Sequence, residues 1–130
     1  MNIASKFKAD RSYGVGTVMA YGGNNEVTQA GGYTTGICGV VTDKADLVLN
    51  NALNGTNVVT IAVMGRTLCE VFGPVSKGDV LVIGLSGAPQ SVATVYDFLT
   101  EPQSPGTIIG RAIEDCGSGF HTIDIFVNVA

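Results

Sequence analysis

The sequence predicts an all-β fold: a compact antiparallel sandwich or small barrel with an extended N-terminal arm. The 130 residues include eighteen Gly and four Pro but no Trp, a composition that favours short strands and turns over helices. No segment keeps the 3.6-residue apolar period of an amphipathic helix. Several short runs of β-branched residues instead end at Gly or Asn, which is the usual pattern of strands joined by turns.

The first half of the chain predicts an arm followed by four strands. Residues 1–12 are polar and mixed in charge, with Ile3 and Phe7 as their large apolar side chains, and are interpreted as the arm. Residues 13–130 are interpreted as a single β domain. The strands expected in this half are residues 15–21, 26–29, 36–42 and 46–50. The Gly-Gly-Asn-Asn run between the first two predicts a hairpin, because Gly and Asn tolerate positive φ.

The second half predicts further strands around one turn module. The expected strands are residues 57–64, 66–72, 80–83, 107–114 and 121–129. In the module at 73–79, Pro74 restricts φ and Gly78 permits a left-handed conformation. Residues 84–106 hold three of the four prolines and are the least regular stretch, and so long a connection favours a segment that lies on a partner.

Alternation along two of these strands predicts which side chains share a face. In the first, one face carries Arg66, Leu68, Glu70 and Phe72, and the other carries Thr67, Cys69 and Val71. In the last strand, one face carries Ile123, Ile125, Val127 and Val129, and the other carries Thr122, Asp124, Phe126 and Asn128. The last strand is therefore predicted to be half-buried and antiparallel.

The low content of charged residues indicates a protein that assembles with others. Charged residues make up 14% of the chain, against roughly 25% in a typical soluble domain, so we expect other subunits to cover part of its surface. The net charge is −4, which argues against direct binding of nucleic acid. No apolar run approaches the roughly 20 residues that span a bilayer, and the N-terminus lacks the apolar region of a signal peptide.

Few residues in the sequence suggest catalysis or metal binding. The single His, His121, excludes a metal site built on two or more histidines and is interpreted as a structural or surface residue. The spacing of Cys38, Cys69 and Cys116 matches neither a disulfide framework nor a metal knuckle, so we expect buried free thiols, made in a reducing cytoplasm. The carboxylates at a strand end and at a turn are expected to solvate loops or to accept backbone N–H groups; they are Glu114 and Asp115, and Asp43 and Asp46. We therefore predict no enzyme activity, no cofactor and no metal.

Several segments, in their order along the chain, resemble a small β domain of tailed-bacteriophage structural proteins. They read DRSYGVGTV (10–18), GNNEVT (23–28), GVVTDKADLVLN (39–50), GPVSKGDVLV (73–82) and PGTIIGRAIED (105–115). The resemblance spans most of residues 10–129 and consists mainly of turn and strand signatures. Such domains occur in tail-fibre proteins and in head decoration, or cement, proteins.

The resemblance implies a virion protein on the capsid surface, made in the host cytoplasm, that bridges and stabilises subunits of the major capsid protein. By family analogy it implies a homo-oligomer, a trimer. Because the chain begins at Met1 and ends soon after its last expected strand, we expect a free-standing gene product, which favours a decoration protein. The alternative is a tail-fibre or tail adhesin domain that contacts the host surface through residues 84–106, with Tyr96 and Phe98 exposed.

The candidate capsid contacts lie in the predicted arm. They are Ile3, Lys6, Phe7, Lys8 and Arg11. We expect this arm to become ordered when it binds an acidic capsid surface, with the two apolar side chains as anchors.

Overall fold

The all-β prediction is confirmed by a computed structural model of the chain, which describes residues 1–32, 36–84, 87–92 and 106–129. The strands are β1 (Ile3–Lys8), β2 (Val18–Tyr21), β3 (Val27–Gln29), β4 (Ile37–Val41), β5 (Leu47–Leu49), β6 (Val58–Val75), β7 (Val80–Ile83), β8 (Pro89–Ser91), β9 (Ile108–Ala112) and β10 (Cys116–Asn128). They join in one sheet with the order β3-β2-β4-β6-β10-β9-β7-β8, and β1 pairs with both β5 and β6. All of these pairings are antiparallel except that of β1 with β5.

The 18-residue strand β6 organises the whole sheet. Its first part pairs with β1 and β4, and its second part pairs with β10 from Met64 to Val75. The sequence predicted two strands separated by Gly65, but the structure has one. Gly65 sits within the strand at a φ of +117°, where the backbone turns from one set of partners to the other.

The interpretation of residues 1–12 as an arm separate from the domain is corrected by the structure. The segment is extended, but β1 is hydrogen-bonded between β5 and β6, and Ala4 is fully buried. Backbone pairing holds a strand in a sheet whatever the polarity of its side chains. The buried residues of this segment, Ala4 and Ala9, are small and left little apolar signal in the sequence.

A smaller hydrophobic core lies in the first half of the molecule. A parallel bridge between Ala9 and Val27 brings the chain after β1 beside β3, so β1, β6, β4, β2 and β3 curl around this core. Phe7 and Tyr13 pack against it. Its buried members are Ala9, Met19, Val27, Cys38, Val41, Val59 and Ile61.

The larger core lies on the other side of β2 and β4. There, Val18 and Val40 pack with the inward side chains of β6, β10, β9 and β7. Its fully buried members are Val40, Cys69, Val71, Leu81, Ile109, Ile125 and Val127. Because β2 and β4 carry buried side chains on both faces, they join the two cores into one body.

The turns follow the sequence in part. Ser76 to Asp79 form the expected turn: Gly78 has a φ of +89°, and the Asp79 carboxylate accepts the backbone N–H of Ser76 at 2.9 Å. The strand before this turn continues through Pro74, although the sequence placed Pro74 in the turn. Residues 85–86 and 93–105, with the proposed adhesin side chains Tyr96 and Phe98, lie outside the described residues.

Candidate interaction face

Strands β6 and β10 run side by side and expose one face of the sheet. Their register pairs Phe72 with Phe120 and Met64 with Asn128. Side chains of alternating residues point inward into the larger core, and they are the sets that alternation predicted to share a face. The remaining side chains form what we call the outer face: Met64, Arg66, Leu68, Glu70 and Phe72 of β6, and Phe120, Thr122, Asp124, Phe126 and Asn128 of β10.

The outer face carries large apolar side chains that water reaches. Leu68 is 42% exposed, Phe126 46% and Phe120 70%. In the register of the two strands, Phe126 lies opposite Arg66 and therefore diagonal to Met64 and Leu68, within reach of both. Contiguous apolar side chains on an otherwise polar surface mark sites of protein association.

An ion pair lies in the middle of this face. Arg66 Nε donates to Asp124 Oδ2 at 2.5 Å, and the Arg66 side chain is 61% exposed. The backbone N–H of Asp124 in turn donates to Glu114 Oε1 at 2.6 Å. So exposed a pair stabilises the fold by at most about 1 kcal/mol, so its charges are available to a partner.

Aromatic rings and shallow depressions mark the two ends of the face. At one end, Phe72 and Phe120 meet edge to face with ring centroids 4.9 Å apart. Glu70 and Phe120 also line a depression of about 220 Å³, whose other lining residues, such as Val18 and Pro89, lie outside the outer face. At the other end, Phe126 and Arg111 line a second depression of about 310 Å³. Depressions of this kind give the surface of a sheet a shape that a partner can complement.

The five candidate capsid contacts do not form one exposed patch. Ile3 is half-buried and lies opposite Met64 of the outer face. Phe7 is also half-buried, because it packs on the smaller core and meets Tyr21 with ring centroids 6.1 Å apart. Because the fold already holds the side chains of Ile3 and Phe7, they are poor anchors for a segment that was expected to become ordered on binding the capsid.

The three cations of that set occupy different surroundings. Lys6 Nζ donates to the carbonyl of Asn51 at 3.1 Å, and Lys8 is exposed. Because they are two residues apart on β1, both point to the side away from Phe7. Arg11 instead donates to the Tyr13 hydroxyl at 3.2 Å, with its guanidinium 5.4 Å from the centre of that ring.

The outer face was the feature that sequence reasoning missed. Alternation correctly placed Leu68 on one face with Arg66 and Phe126 on one face with Asp124, but it did not identify either face as an interaction surface. The signal was present in the sequence: large apolar side chains at the polar positions of two half-buried strands. Phe120 gave no such signal, because the structure begins β10 at Cys116 and the sequence began this strand at His121.

The residues suggestive of chemistry lie apart from the outer face or are buried. His121 is exposed, with Nε2 3.0 Å from the carbonyl of Ser118. Burial raises the pKa of the Cys38 thiol to about 11 and raises that of Cys69 as well, so both stay protonated at neutral pH. Among the described residues, no group of three or more His, Cys, Asp or Glu is placed to hold a metal ion. Within the same residues, no helix has the length and apolar character that crossing a bilayer requires.

Comparison with known proteins shows the fold. No protein-family model matches the sequence, and no curated protein matches it significantly. Among solved structures, the chain is similar to the head fiber gp8.5 N base of bacteriophage phi29, with a TM-score of 0.52 and 14% sequence identity. The alignment covers 98% of this chain and 95% of that one, so the likeness extends over the whole fold.

Proposed function

We propose that this chain is a structural protein of a bacteriophage virion that decorates the head and binds the major capsid protein. The observation that carries the proposal is the outer face, a sheet surface with exposed Leu68, Phe120 and Phe126. It marks the chain as a protein that assembles with others, whereas the capsid itself is contacted through a different surface, the outward side of β1. Side chains of this kind serve association with other proteins. The fold it shares with a protein described as the base of a phage head fibre supports a place on the head.

A protein of this kind works by adding contacts between larger subunits. Apolar surface that is buried between the protein and the capsid contributes roughly 25 cal/mol per Å² to the free energy of binding. Rupture of the shell must then break these contacts as well as the contacts between capsid subunits. The body of the protein suits this task, because β2 and β4 tie two cores into one sheet. A body that deforms little transmits force from one capsid subunit to the next.

We assign the capsid contact to the outward side of β1. Lys6 and Lys8 lie there on one side of the strand, while Phe7 packs inward. The two ammonium groups suit an acidic capsid surface, and such charges steer association and fix its register. Ile3 and Arg11 belong to other parts of the surface and contribute less in this proposal.

The location of the chain tests the proposal. In purified particles of the phage that encodes the chain, we expect mass spectrometry to detect it in many copies, and gold-labelled antibody to mark the head. Label on the tail would favour the tail-fibre alternative and contradict decoration of the head. Absence from the particles would contradict both.

A pair of matched variants tests the contact surface. Heads stripped of the protein are mixed with purified wild-type chain, with Lys8→Glu, or with Lys77→Glu. The second variant makes the same charge change at another exposed lysine. We expect the β1 variant to lose at least about tenfold in affinity and the control to bind like wild type. Equal binding by both variants would contradict the assignment to β1.

A further inference from the structure

We propose that the outer face binds a second copy of this chain, so that copies assemble with their β6–β10 faces turned toward a common rotation axis. The proposal concerns association of the chain with itself and does not depend on where the chain sits in a virion. It rests on the distribution of charge over the molecule, on the geometry of the Arg66–Asp124 pair, and on the apolar side chains around that pair.

The charge distribution favours a copy of the same chain as the occupant. The chain has seven basic and eleven acidic residues, a net charge of −4. The outer face and its flank hold three charges of each sign, so this surface is neutral. They are Arg66, Arg111 and Lys44 against Glu70, Asp124 and Glu114. The rest of the sequence carries the whole net charge. Two acidic chains repel one another least when they meet through this face.

The central ion pair is complementary to itself. Arg66 and Asp124 stand in contact within one chain and remain partly open to water. A two-fold axis that passes beside the pair brings Arg66 of each copy to Asp124 of the other, because a two-fold interface places the same patch against itself. The pair within each copy then becomes a network of alternating charges, which gains most when water is excluded.

Apolar side chains surround the pair and exclude that water. Leu68 lies opposite Asp124 on the neighbouring strand, and Phe126 lies opposite Arg66. Each charged group therefore has a large apolar neighbour at its side. Arginine is among the residues that dominate binding energy when they lie near the centre of an interface and neighbouring contacts exclude water from them.

Charge-reversal variants test the proposal directly. Arg66→Glu leaves the centre of the face acidic, with two carboxylates, and Asp124→Lys leaves it basic, with two cations. Light scattering and native mass spectrometry at 5–100 μM (about the range over which moderately stable oligomers dissociate) measure the mass of wild type, of each variant, and of their mixture. We expect the wild type to be oligomeric, each variant alone to be monomeric, and the mixture to form oligomers that contain both variants.

An apolar variant and its control provide a second measurement. Leu68→Asp places a charge in the outer face, whereas Leu49→Asp places one at a similarly exposed leucine of β5. We expect Leu68→Asp to shift the protein to monomer and Leu49→Asp to leave the oligomer intact. Far-UV circular dichroism and thermal unfolding check that each variant is folded, and the charge-reversal pair still decides the question if an aspartate variant is not.

Three results would overturn the proposal. The first is a wild type that is monomeric at about 100 μM, the upper limit of the measured range. The second is failure of the two charge-reversal variants to associate when they are mixed. The third is dissociation of the oligomer to the same extent by Leu68→Asp and by Leu49→Asp. A monomer that still binds phage heads would refute self-association and leave the proposed function standing. An oligomer that is absent from phage particles would refute the proposed function and leave self-association standing.

Discussion

The Asn2 side chain bonds to both backbone polar groups of Arg66. Asn2 Nδ2 donates to the carbonyl of Arg66 at 2.8 Å, and Asn2 Oδ1 accepts the N–H of Arg66 at 2.9 Å. The start of the chain is thereby tied to β6 beside the outer face. A Cβ on Gly65 would collide with Asn2, so glycine at position 65 allows this close approach.

Deletion of residues 1–12 is expected to abolish cooperative folding. The deletion removes β1, which pairs with two neighbours, together with the buried Ala4 and Ala9. Backbone groups on β6 would lose their partners over the length of β1, at a cost of about 1 kcal/mol or more for each one left buried. Urea unfolding followed by circular dichroism measures the effect. A truncated chain that unfolds like wild type would restore the interpretation of this segment as a free arm.

Asn2→Ala provides the milder comparison. The two hydrogen bonds to Arg66 are at the surface, where water replaces part of what is lost. We expect a decrease of about 1 kcal/mol in the free energy of unfolding, without loss of cooperativity. A decrease as large as that caused by the deletion would mean that the side chain of Asn2, and not β1, holds the segment.

Gly110→Ala is expected to destabilise the protein by about 1–3 kcal/mol or more. A Cβ at position 110 would overlap the backbone carbonyl of Phe126 on the adjacent strand β10, and backbone atoms within a sheet cannot move aside. Gly117→Ala serves as the control, because no atom lies within 4 Å of a Cβ placed there. The free energies of unfolding of the two variants in urea are compared. Equal values would contradict the close packing of β9 on β10.

Asp10 is expected to add a pH-dependent contribution to stability. The Tyr13 hydroxyl donates to Asp10 at 2.7 Å, and this bond is the main cause that lowers the pKa of Asp10 below its ordinary value of 3.8. A depressed pKa in the folded state gives stability that is present above the unfolded pKa and is lost as pH falls through the folded one. We therefore expect the contribution to persist at neutral pH and to disappear in acid.

NMR titration of the Asp10 carboxyl carbon checks this expectation. In Tyr13→Phe, the pKa of Asp10 should rise toward its ordinary value, and the stability difference from wild type should shrink as pH falls below about 4. Tyr21→Phe removes a hydroxyl elsewhere and should leave the Asp10 titration unchanged. An Asp10 pKa that is the same in wild type and Tyr13→Phe would contradict the assigned cause.

The three thiols are expected to differ in reactivity while the protein is folded. Cys38 and Cys69 are buried, and burial raises the pKa of each, which leaves little reactive thiolate. Cys116 is only half-buried. With iodoacetamide at pH 8, we expect mass spectrometry to show Cys116 modified at least about tenfold faster than the other two, and all three modified at one rate in urea. Rapid labelling of Cys69 in the folded protein would contradict its position in the core.

The sequence predicted the strands whose side chains alternate and missed features set by long-range pairing. Along β10, aliphatic residues such as Ile123 and Ile125 alternate with polar ones, so their inward direction followed from the pattern alone. β1 has no such pattern, and its place in the sheet depends on partners more than 40 residues away, such as Leu47 and Ile61. Local propensity carries no information about those partners.

The candidate site could be predicted in its parts but not as a surface. Alternation placed Leu68 on one face with Arg66 and Phe126 on one face with Asp124, yet only the register shows that Leu68 and Phe126 lie diagonal to one another. Basic residues near the N-terminus suggested one contact patch, whereas the fold points Phe7 inward and separates Arg11 from Lys6. Register and curvature of a sheet depend on contacts that no short segment specifies.

A reconstruction of the phage particle at side-chain resolution tests the central claim most directly. The account predicts density for this chain on the head, with copies joined through Leu68 and Phe126 and with Lys6 and Lys8 directed at the capsid shell. Density on the tail, or copies on the head whose β6–β10 faces all point into solvent, would contradict it.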